Sequence, residues 1–268
     1  MNKFKDKVVA ITGGSNGIGK ALVSEFLSAG AKVSTCARSF DKLNKLSAES
    51  KNQSLLTVQA DVSIESDCAN FISQTLETYG HIDVLINNAG ISMRALFKDT
   101  DINTLKKVMD VNFWGSVYCT KYALESIMQQ KGSVVSVSSI AGYRGLPGRS
   151  GYSASKFALN GWMEALRTEM LDSGVNVLWV CPGFTQTNIR KVALNKDAKP
   201  QGESPLNESK LMTSEECAVH IMNAIQKRKR TLILTFTGKE TVWLNKLFPG
   251  LTDKLTKKFF FKNGELIK

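Results

Sequence analysis

The stretch that decides the fold runs Thr12-Gly13-Gly14-Ser15-Asn16-Gly17-Ile18-Gly19. It follows a short β-branched run, Val8-Val9-Ala10-Ile11, and opens an amphipathic segment that predicts a helix over Ile18–Ala29. Glycines at such a turn let the backbone approach a pyrophosphate, whose charge would lie at the helix N-terminus. The spacing is Gly-x-x-x-Gly-x-Gly rather than the general fingerprint Gly-x-Gly-x-x-Gly. A tight turn without a ligand is the alternative, but the strand–turn–helix context favours a nucleotide site at Gly13, Ser15, Asn16, Gly17, Ile18 and Gly19.

Short β-branched runs alternate with longer amphipathic segments along most of the chain. This alternation predicts an α/β fold, a Rossmann-type doubly wound parallel sheet with helices on both faces. The valine-rich strands fit burial on both faces of such a sheet. The expected strands are Lys7–Ile11, Lys32–Ala37, Leu55–Ala60, Val84–Asn87, Gly132–Ser138, Val175–Cys181 and Thr231–Phe236. A long loop or lid is expected over Phe184–Met212, which is rich in Asn, Lys, Pro and Ser.

The positive charge of the chain is concentrated near its C-terminus. The 268 residues contain 35 Lys and Arg against 24 Asp and Glu, a formal net charge of +11. Residues 227–268 hold eleven of the basic side chains and three of the acidic ones, so this segment carries +8 and the other 226 residues only +3. A clustered basic segment can bind nucleic acid, which is one interpretation of this charge. No RNA- or DNA-binding motif accompanies the segment, however, and the body is near neutral, so we expect no nucleic-acid partner.

The cysteines and histidines argue against several other classes of protein. Five cysteines are scattered without a Cys-x-x-Cys pair, so neither a disulfide framework nor a zinc site is indicated. Only two histidines occur, which disfavours a histidine-based triad or metal centre, and we expect no metal. No apolar run reaches the roughly 18–20 residues of a membrane-spanning helix, and the N-terminus lacks a signal-peptide pattern. A cytoplasmic location is therefore expected.

The end of the second expected strand carries a clue to the nucleotide. A coenzyme with a free ribose 2′-hydroxyl favours an acidic residue near this point, whereas a 2′-phosphate favours arginine. The sequence has Ala37 followed by Arg38, with Ser39 as a second donor. NADP(H) is therefore favoured over NAD(H); the alternative is that Arg38 is a solvated surface charge.

One tyrosine–lysine pair has the spacing of an acid–base device. Tyr152 and Lys156 lie at i and i+4, which places them on the same face of a helix. A phenol has a pKa of about 10, and bringing it near 7 requires about 4 kcal/mol of differential stabilisation, which a neighbouring ammonium and a cationic coenzyme ring could provide together. A core tyrosine with a surface lysine one turn later is the alternative.

Together, these residues resemble the short-chain dehydrogenase/reductase family. The motifs occur in the family's order and spacing over residues 5–235: Thr12-Gly13-x-x-x-Gly17-x-Gly19, Asp61-Val62, Asn87-Asn88-Ala89-Gly90, Asn112, Ser139, Tyr152/Lys156 and Pro182-Gly183-x-x-x-Thr187. The resemblance implies a Rossmann-type sheet with its site at the C-terminal ends of the strands.

The resemblance also implies roles for these residues. Tyr152 would be the general acid in reduction, Lys156 would lower its pKa and bind the nicotinamide ribose, and Ser139 would orient the substrate carbonyl. Asn112 would hold a water that links Lys156 to solvent. The remaining coenzyme contacts would come from Asp61 and Val62 at the adenine, Asn88, Ala89 and Gly90 in the cleft, and Pro182, Gly183 and Thr187 near the carboxamide. Ser136 and Ser138 are rival hydroxyls to Ser139.

Within the family, Asn87–Arg94 and Ser133–Ile189 look closest to a branch of lipophilic-carbonyl reductases that act on steroids and retinoids. The resemblance thus implies an NADP(H)-dependent oxidoreductase that reduces a ketone or aldehyde, or reversibly oxidises a secondary alcohol. We also expect a homo-oligomer. The alternative function is a non-catalytic NADP(H)-binding regulatory or scaffold protein on the same fold.

The last segment forms a separate question. We divide the chain into a dehydrogenase domain over residues 1–240 and a basic amphipathic extension over residues 241–268, which Pro249-Gly250 should split into two short helical pieces. Interleaved aromatic and lysine side chains are typical of segments that lie on an anionic membrane surface. The alternative, slightly favoured, is that the apolar side packs on the domain or a partner subunit while the lysines face solvent.

Overall fold

The structure is a computed structural model that describes residues 3–50 and 54–267. In chain order its first half contains β1 (Val8–Thr12), α1 (Gly17–Ser28), β2 (Lys32–Ala37), α2 (Phe40–Ser50), β3 (Leu55–Gln59), α3 (Glu65–Tyr79), β4 (Val84–Asn87) and α4 (Ile102–Met109). The second half contains α5 (Gly115–Gln129), β5 (Ser133–Val137), α6 (Ser150–Glu169), β6 (Asn176–Cys181), α7 (Ser214–Gln226), β7 (Thr231–Ile233), α8 (Phe236–Leu247), α9 (Pro249–Phe260), β8 (Phe261–Lys262) and β9 (Glu265–Leu266).

The described residues form one parallel sheet with the strand order β3-β2-β1-β4-β5-β6-β7. The order reverses between β1 and β4, and Ile11 pairs with Thr35 of β2 on one side and Ile86 of β4 on the other. The carboxylate of Asp83 joins the starts of these two strands, because it accepts hydrogen bonds from the Val8 backbone N–H at 2.8 Å and from the Lys7 ammonium at 2.7 Å. The Rossmann-type fold that the sequence predicts is confirmed.

Two apolar cores lie on opposite faces of the sheet. On one face, α1 and α7 pack on the strands through side chains such as Phe26, Leu22 and Ile221. On the other face, α3, α5 and α6 contribute Phe71, Ile127 and Leu159. Because both faces are covered, the strands read as continuous apolar runs in the sequence.

The strand bounds agree with the sequence expectation to within one residue, apart from the end of β7. That strand ends at Ile233 rather than Phe236, so the prediction was wrong over its last three residues. The reason is local, since Thr235 adopts φ +63° and its side chain accepts a hydrogen bond from the backbone N–H of Gly238, which caps α8. α1 begins and ends one residue earlier than predicted.

The segment between β6 and α7 is a long loop, as the sequence predicts, with one short 3-10 turn at Glu208–Lys210. Arg190 holds this loop in place. Its guanidinium forms two hydrogen bonds to the Glu208 carboxylate, at 2.6 and 2.7 Å, and a third to the carbonyl oxygen of Thr185 at 2.6 Å.

The C-terminal residues form two helices and a short antiparallel pair of strands. Pro249 is at the first turn of α9, so the division predicted at Pro249-Gly250 is confirmed. α8 begins at Phe236 and therefore continues across residue 240, where the sequence analysis ends the dehydrogenase domain. No helix within residues 3–50 and 54–267 is both long enough and apolar enough to cross a bilayer.

Candidate active site

A single cavity of about 1300 Å³ lies at the C-terminal ends of the strands, where the strand order reverses. Its lining includes every catalytic and coenzyme-binding residue expected from the sequence except Asn112. This position is the one where open α/β sheets bind ligands, because the connections leaving neighbouring strands diverge to opposite faces. Within the described residues, no cluster of His, Cys, Asp or Glu has the makings of a metal site.

The glycine turn contains positions at which any side chain would strain the backbone or collide with it. Gly13 and Gly17 have φ values of +72° and +51°, a region that other residues rarely adopt. A Cβ on Gly19 would lie 2.2 Å from the carbonyl oxygen of Gly13. The Asn16 side chain accepts a hydrogen bond from the Gly17 N–H at 3.1 Å and so caps α1. The open backbone and the helix N-terminus fit the pyrophosphate of a dinucleotide.

The far end of the cavity carries the groups expected to meet the adenosine half of such a nucleotide. Arg38, Ser39 and Asp61 line it, and Lys42 on α2 lines it as well. Sequence analysis missed Lys42; its position one turn after Ser39 at the start of α2 was the available signal. Two cations at this end suit a phosphorylated ribose.

Tyr152, Lys156 and Ser139 meet at the middle of the cavity. Tyr152 and Lys156 project from the start of α6, and the Lys156 ammonium lies 5.8 Å from the centroid of the Tyr152 ring. Lys156 is 4% exposed and donates a hydrogen bond to the carbonyl oxygen of Val137 at 2.8 Å. A Cβ on Gly90 would lie 3.7 Å from the same nitrogen, so the chain after β4 passes directly beside it.

The rival serines are engaged elsewhere. The Ser136 hydroxyl donates to the sulfur of Met163 at 3.2 Å, and the Ser138 hydroxyl is 2.6 Å from Oδ1 of Asn160. The Ser139 hydroxyl accepts a hydrogen bond from the Ala141 N–H at 3.1 Å and faces Tyr152. Ser139 is therefore the serine placed to share a ligand oxygen with the Tyr152 phenol.

Burial and neighbouring cations act on the Tyr152 phenol in opposite directions. Burial raises its pKa above the ordinary value of 10, while Ser139 and the charges of Arg149 and Arg190 lower it. The sequence analysis expects Lys156 to supply the lowering charge, yet the main cationic contributions come from these two arginines. Neither arginine was singled out in the sequence, although Arg149 precedes Tyr152 by three residues.

Asn112 lies behind the cavity rather than in its wall. It belongs to a π-helical turn, Asp110–Trp114, and its side chain is completely buried. Its amide nitrogen donates to the Ile91 carbonyl at 3.0 Å and to the Ser155 hydroxyl at 2.9 Å, and its oxygen accepts from the Ile91 N–H at 2.8 Å. Asn112 thus holds the chain beside Gly90; its role in a water relay stays a prediction.

The C-terminal helices close the other end of the cavity, which the sequence analysis left open. Asn245 on α8 donates to the Tyr143 carbonyl at 2.9 Å, and Arg144 forms an ion pair of 2.5 Å with Asp253 on α9. The inner side of the segment therefore packs on the domain. The residues it contributes to the cavity wall include Thr241, Leu244, Thr252, Leu255, Phe259, Phe260 and Ile267.

The buried ammonium of Lys156 gives a testable prediction for stability without ligand. Burial lowers its pKa from 10.5 to about 8. The folded state is therefore destabilised in full below pH 8, and the destabilisation disappears as the pH rises through 10.5, because the unfolded chain then also loses the proton. We expect Lys156→Met to be more stable by about 3 kcal/mol at pH 7, with a difference about 2 kcal/mol smaller at pH 9.5, as measured by urea unfolding.

Buried thiols make the free energy of unfolding fall as the pH rises, which is the opposite of the lysine's effect, so their contribution must be removed from the comparison. Burial raises the pKa of Cys36, Cys181 and Cys217 to about 12, so each contributes stability that is lost as the pH rises above the ordinary thiol value. Cys36 and Cys217 contribute equally with and without the lysine, whereas Cys181 interacts electrostatically with Lys156. The effect of Lys156→Met is therefore measured in a Cys181→Ala background, where the difference isolates the lysine. Lys45→Met, at a site whose side chain is 75% exposed, serves as the control without a pH-dependent difference. A pH-independent difference for Lys156→Met would contradict the assignment.

With this geometry, similarity to known proteins identifies the family. Residues 7–198 match the profile of the family described as short chain dehydrogenase. The chain is 34% identical over 256 residues to dehydrogenase/reductase SDR family member 7B of Mus musculus, covering 92% of this chain and 79% of that protein. It is 39% identical over 201 residues to 11-beta-hydroxysteroid dehydrogenase A of Arachis hypogaea, covering 74% of this chain and 56% of that protein.

A solved structure supports the fold. A short chain dehydrogenase/reductase from Burkholderia phymatum, in complex with NAD, superimposes with a TM-score of 0.83 at 23% identity, covering 94% of this chain and 96% of that chain. At this identity the match speaks for the shared fold. Taken together with the family profile and the relatives, it shows that the chain belongs to the short-chain dehydrogenase/reductase family of oxidoreductases.

Proposed function

We propose that the protein is an NADP(H)-dependent oxidoreductase that reduces a lipophilic ketone or aldehyde, or reversibly oxidises the corresponding secondary alcohol. The observation that carries the proposal is the meeting of Tyr152, Ser139 and Lys156 in the same cavity as the glycine turn. The chemistry that the coenzyme supplies when bound is hydride transfer at the carbonyl carbon. The chain's own residues bind the coenzyme, orient the substrate and protonate the substrate oxygen.

The protein's contribution is acid–base and electrostatic. In reduction, the Tyr152 phenol delivers its proton to the substrate oxygen while the Ser139 hydroxyl stabilises the negative charge that develops there. Lys156 is held by the Val137 carbonyl, 5.8 Å from the centre of the Tyr152 ring, and would bind the nicotinamide ribose. The charges of Arg149 and Arg190 favour the ionised phenol after the proton has left. α8 and α9 contribute apolar side chains to the cavity wall.

The proposal is tested most directly by Tyr152→Phe. Loss of the proton donor should lower kcat for reduction of a lipophilic aldehyde about 100-fold or more, while NADPH binding measured by fluorescence titration stays close to wild type. Tyr143→Phe is the matched control, because its hydroxyl accepts a hydrogen bond from Trp179 Nε1 at 2.9 Å and it is not among the cavity-lining residues. Near-normal turnover of Tyr152→Phe would reject the assigned role. Tight NADPH binding by wild type without turnover of any carbonyl would favour the non-catalytic alternative.

The preference for NADP(H) rests on Arg38 and is supported by Lys42, which lines the same end of the cavity. Removing the Arg38 guanidinium should raise the KM for NADPH about 10-fold or more and leave that for NADH nearly unchanged, since a charge-assisted phosphate contact contributes roughly 1.5–3 kcal/mol. The measurement is the ratio of kcat/KM for the two coenzymes in Arg38→Ala. Lys45→Ala on the same helix as Lys42 is the control, and an unchanged ratio in Arg38→Ala would overturn the preference.

The substrate is proposed to be lipophilic because the cavity wall beyond Tyr152 is largely apolar. Leu146, Leu244, Leu255 and Phe259 line this end. The name of the Arachis hypogaea relative, a hydroxysteroid dehydrogenase, points in the same direction. An apolar wall in the same cavity as the reacting groups favours a molecule with one reducible carbonyl and an extended apolar part.

For the location, we propose a cytoplasmic enzyme whose C-terminal extension touches a membrane surface. The outward side of α8 and α9 leaves Trp243, Leu247, Phe248 and Leu251 between 49% and 58% exposed. Exposed lysines surround them, at positions 239, 246, 254, 257 and 258. Apolar side chains bordered by lysines suit the headgroup region of an anionic bilayer.

Vesicle co-sedimentation tests this contact. Wild type should sediment with vesicles that contain phosphatidylserine, and Trp243→Ser combined with Leu247→Ser should lower the bound fraction about 10-fold or more, given roughly 1.5–3 kcal/mol for each buried apolar side chain. Phe40→Ser on α2 is the control, because Phe40 is 59% exposed but distant in sequence from the extension. Equal sedimentation of all three proteins would exclude the membrane contact.

We also propose that the protein forms a homo-oligomer. Aromatic side chains on the outer surfaces of the α5–α6 side support this proposal: Trp114, Tyr122 and Phe157 are 43%, 42% and 47% exposed. Exposed aromatic side chains of this kind are enriched at protein interfaces.

A further inference from the structure

The cavity wall carries a strong excess of positive charge. Its cationic side chains are Arg38, Lys42, Arg144, Arg149, Lys156, Arg190 and Lys258, and Asp61 is the only acidic one among the described residues that line it. An apolar cavity with such an imbalance attracts anions more strongly than an exposed surface would, because a low-dielectric wall screens less. The coenzyme phosphates account for part of this charge, at the end formed by Arg38 and Lys42.

Most of the other cations already have partners. Lys156 donates to the Val137 carbonyl, Arg144 pairs with Asp253, and Arg190 pairs with Glu208. Lys258 is exposed, so water solvates its charge. One cation differs from all of these.

Arg149 is buried and has no counter-charge. It is 8% exposed, and within residues 3–50 and 54–267 its guanidinium has no ion pair and no hydrogen bond. The guanidinium lies over the ring of Phe260, with Cζ 5.8 Å from the ring centroid. Burial lowers its pKa, the Tyr152 phenol acts in the opposite direction, and the nearby charges of Arg190 and Arg94 lower the pKa further. The side chain lines the cavity, so an anion bound there would be the first charged partner of the guanidinium.

The backbone places the Arg149 side chain beside the reacting groups. Arg149 is the N-cap residue of α6, with its N–H bonded to the Leu146 carbonyl at 3.1 Å and its carbonyl accepting from the Ser153 N–H at 2.8 Å. Tyr152 follows one turn later, close enough for the guanidinium to act on the phenol. Phe260, at the end of α9, covers the other side.

We propose that Arg149 binds an anionic group, a carboxylate or a phosphate, on the lipophilic carbonyl substrate. The proposal rests on the proposed function and names the substrate class of that same site. The anion lies at Arg149, the carbonyl at Tyr152 and Ser139, and the hydrocarbon part against α8 and α9. The fork of the guanidinium suits either a carboxylate or a phosphate.

A second role for Arg149 must be separated from this one. The guanidinium also favours the ionised form of Tyr152, so its removal should slow the reduction of every carbonyl. That effect is common to charged and neutral substrates. Only anion binding changes the ratio of kcat/KM for a charged substrate to kcat/KM for its neutral analogue.

The experiment compares matched substrates with the full-length enzyme and NADPH. The pairs are 4-oxohexadecanoate with its methyl ester, and a long-chain 2-oxoalkyl phosphate with its dimethyl ester. We expect wild type to prefer an anionic member by about 10-fold or more in kcat/KM, the change expected from one charge-assisted hydrogen bond. Arg149→Met should bring that ratio close to one, mainly through KM, and Arg149→Lys should restore part of it. Lys258→Met, which removes an exposed cation from the same wall, should change the ratio less than about 3-fold.

Each outcome is decisive. Whichever pair shows the preference identifies the anion. An unchanged ratio in Arg149→Met, with both members slowed equally, would overturn anion binding and leave Arg149 as a group that acts on Tyr152. If wild type reduces a lipophilic aldehyde but neither member of either pair, or reduces both members of each pair equally well, the anionic-substrate proposal is overturned and the proposed function stands. If wild type reduces no carbonyl at all, the proposed function fails, and binding of hexadecanoate and hexadecyl phosphate, measured by calorimetry on wild type and Arg149→Met, tests the arginine separately. Equal affinity of the two proteins for both probes would overturn the proposal. Circular dichroism at matched concentration confirms folding, which the loss of a buried unpaired charge should favour.

Discussion

The hydrogen bonds of Thr12 hold together the crevice on which the rest of the site depends. Thr12 ends β1, and its buried hydroxyl accepts from the backbone N–H groups of Asn88 and Ala89, each at 3.0 Å. The Asn88 side chain returns a hydrogen bond to the Thr12 carbonyl at 2.9 Å. These bonds join the ends of β1 and β4, the two strands between which the order reverses. The chain leaves β1 into α1 on one face and leaves β4 toward α4 and α5 on the other, so the space between the two connections stays open.

The same crevice explains why a buried lysine is tolerated in its wall. Lys156 reaches from α6 to the Val137 carbonyl at the end of β5, next to Gly90, which offers no side chain to displace it. A lysine in this position destabilises the folded chain near neutral pH, and its pKa of about 8 records that penalty. Functional sites commonly retain such a penalty, since an apolar residue could not provide a cation in the cavity wall.

The sequence predicts those parts of the molecule that depend on local chemistry. The glycine turn, the strands and the Tyr152/Lys156 pair follow from steric requirements and from helical and strand periodicity, and the structure brings the last two side chains to the cavity. Sequence analysis missed Lys42 and Arg149 near helix starts and Arg190 in a loop, because a basic residue in such a position is typical of a solvated surface until tertiary contacts bury it or turn it toward a cavity. The predicted end of β7 was wrong because Thr235 caps α8, and this cap ends a run of residues that is otherwise typical of a strand.

The C-terminal segment, residues 241–268, has an inner side that lines the cavity and an outer side that is exposed. Its inner side meets the domain through Asn245 and Asp253 and places Phe260 over the guanidinium of Arg149. Its outer side presents Trp243 and Leu247 to the surroundings. The cavity lining and the exposed apolar side belong to the same two helices, α8 and α9. An amphiphilic substrate with a charged end and a hydrocarbon end matches this arrangement, since its apolar part would lie against α8 and α9 while its anion stays beside α6.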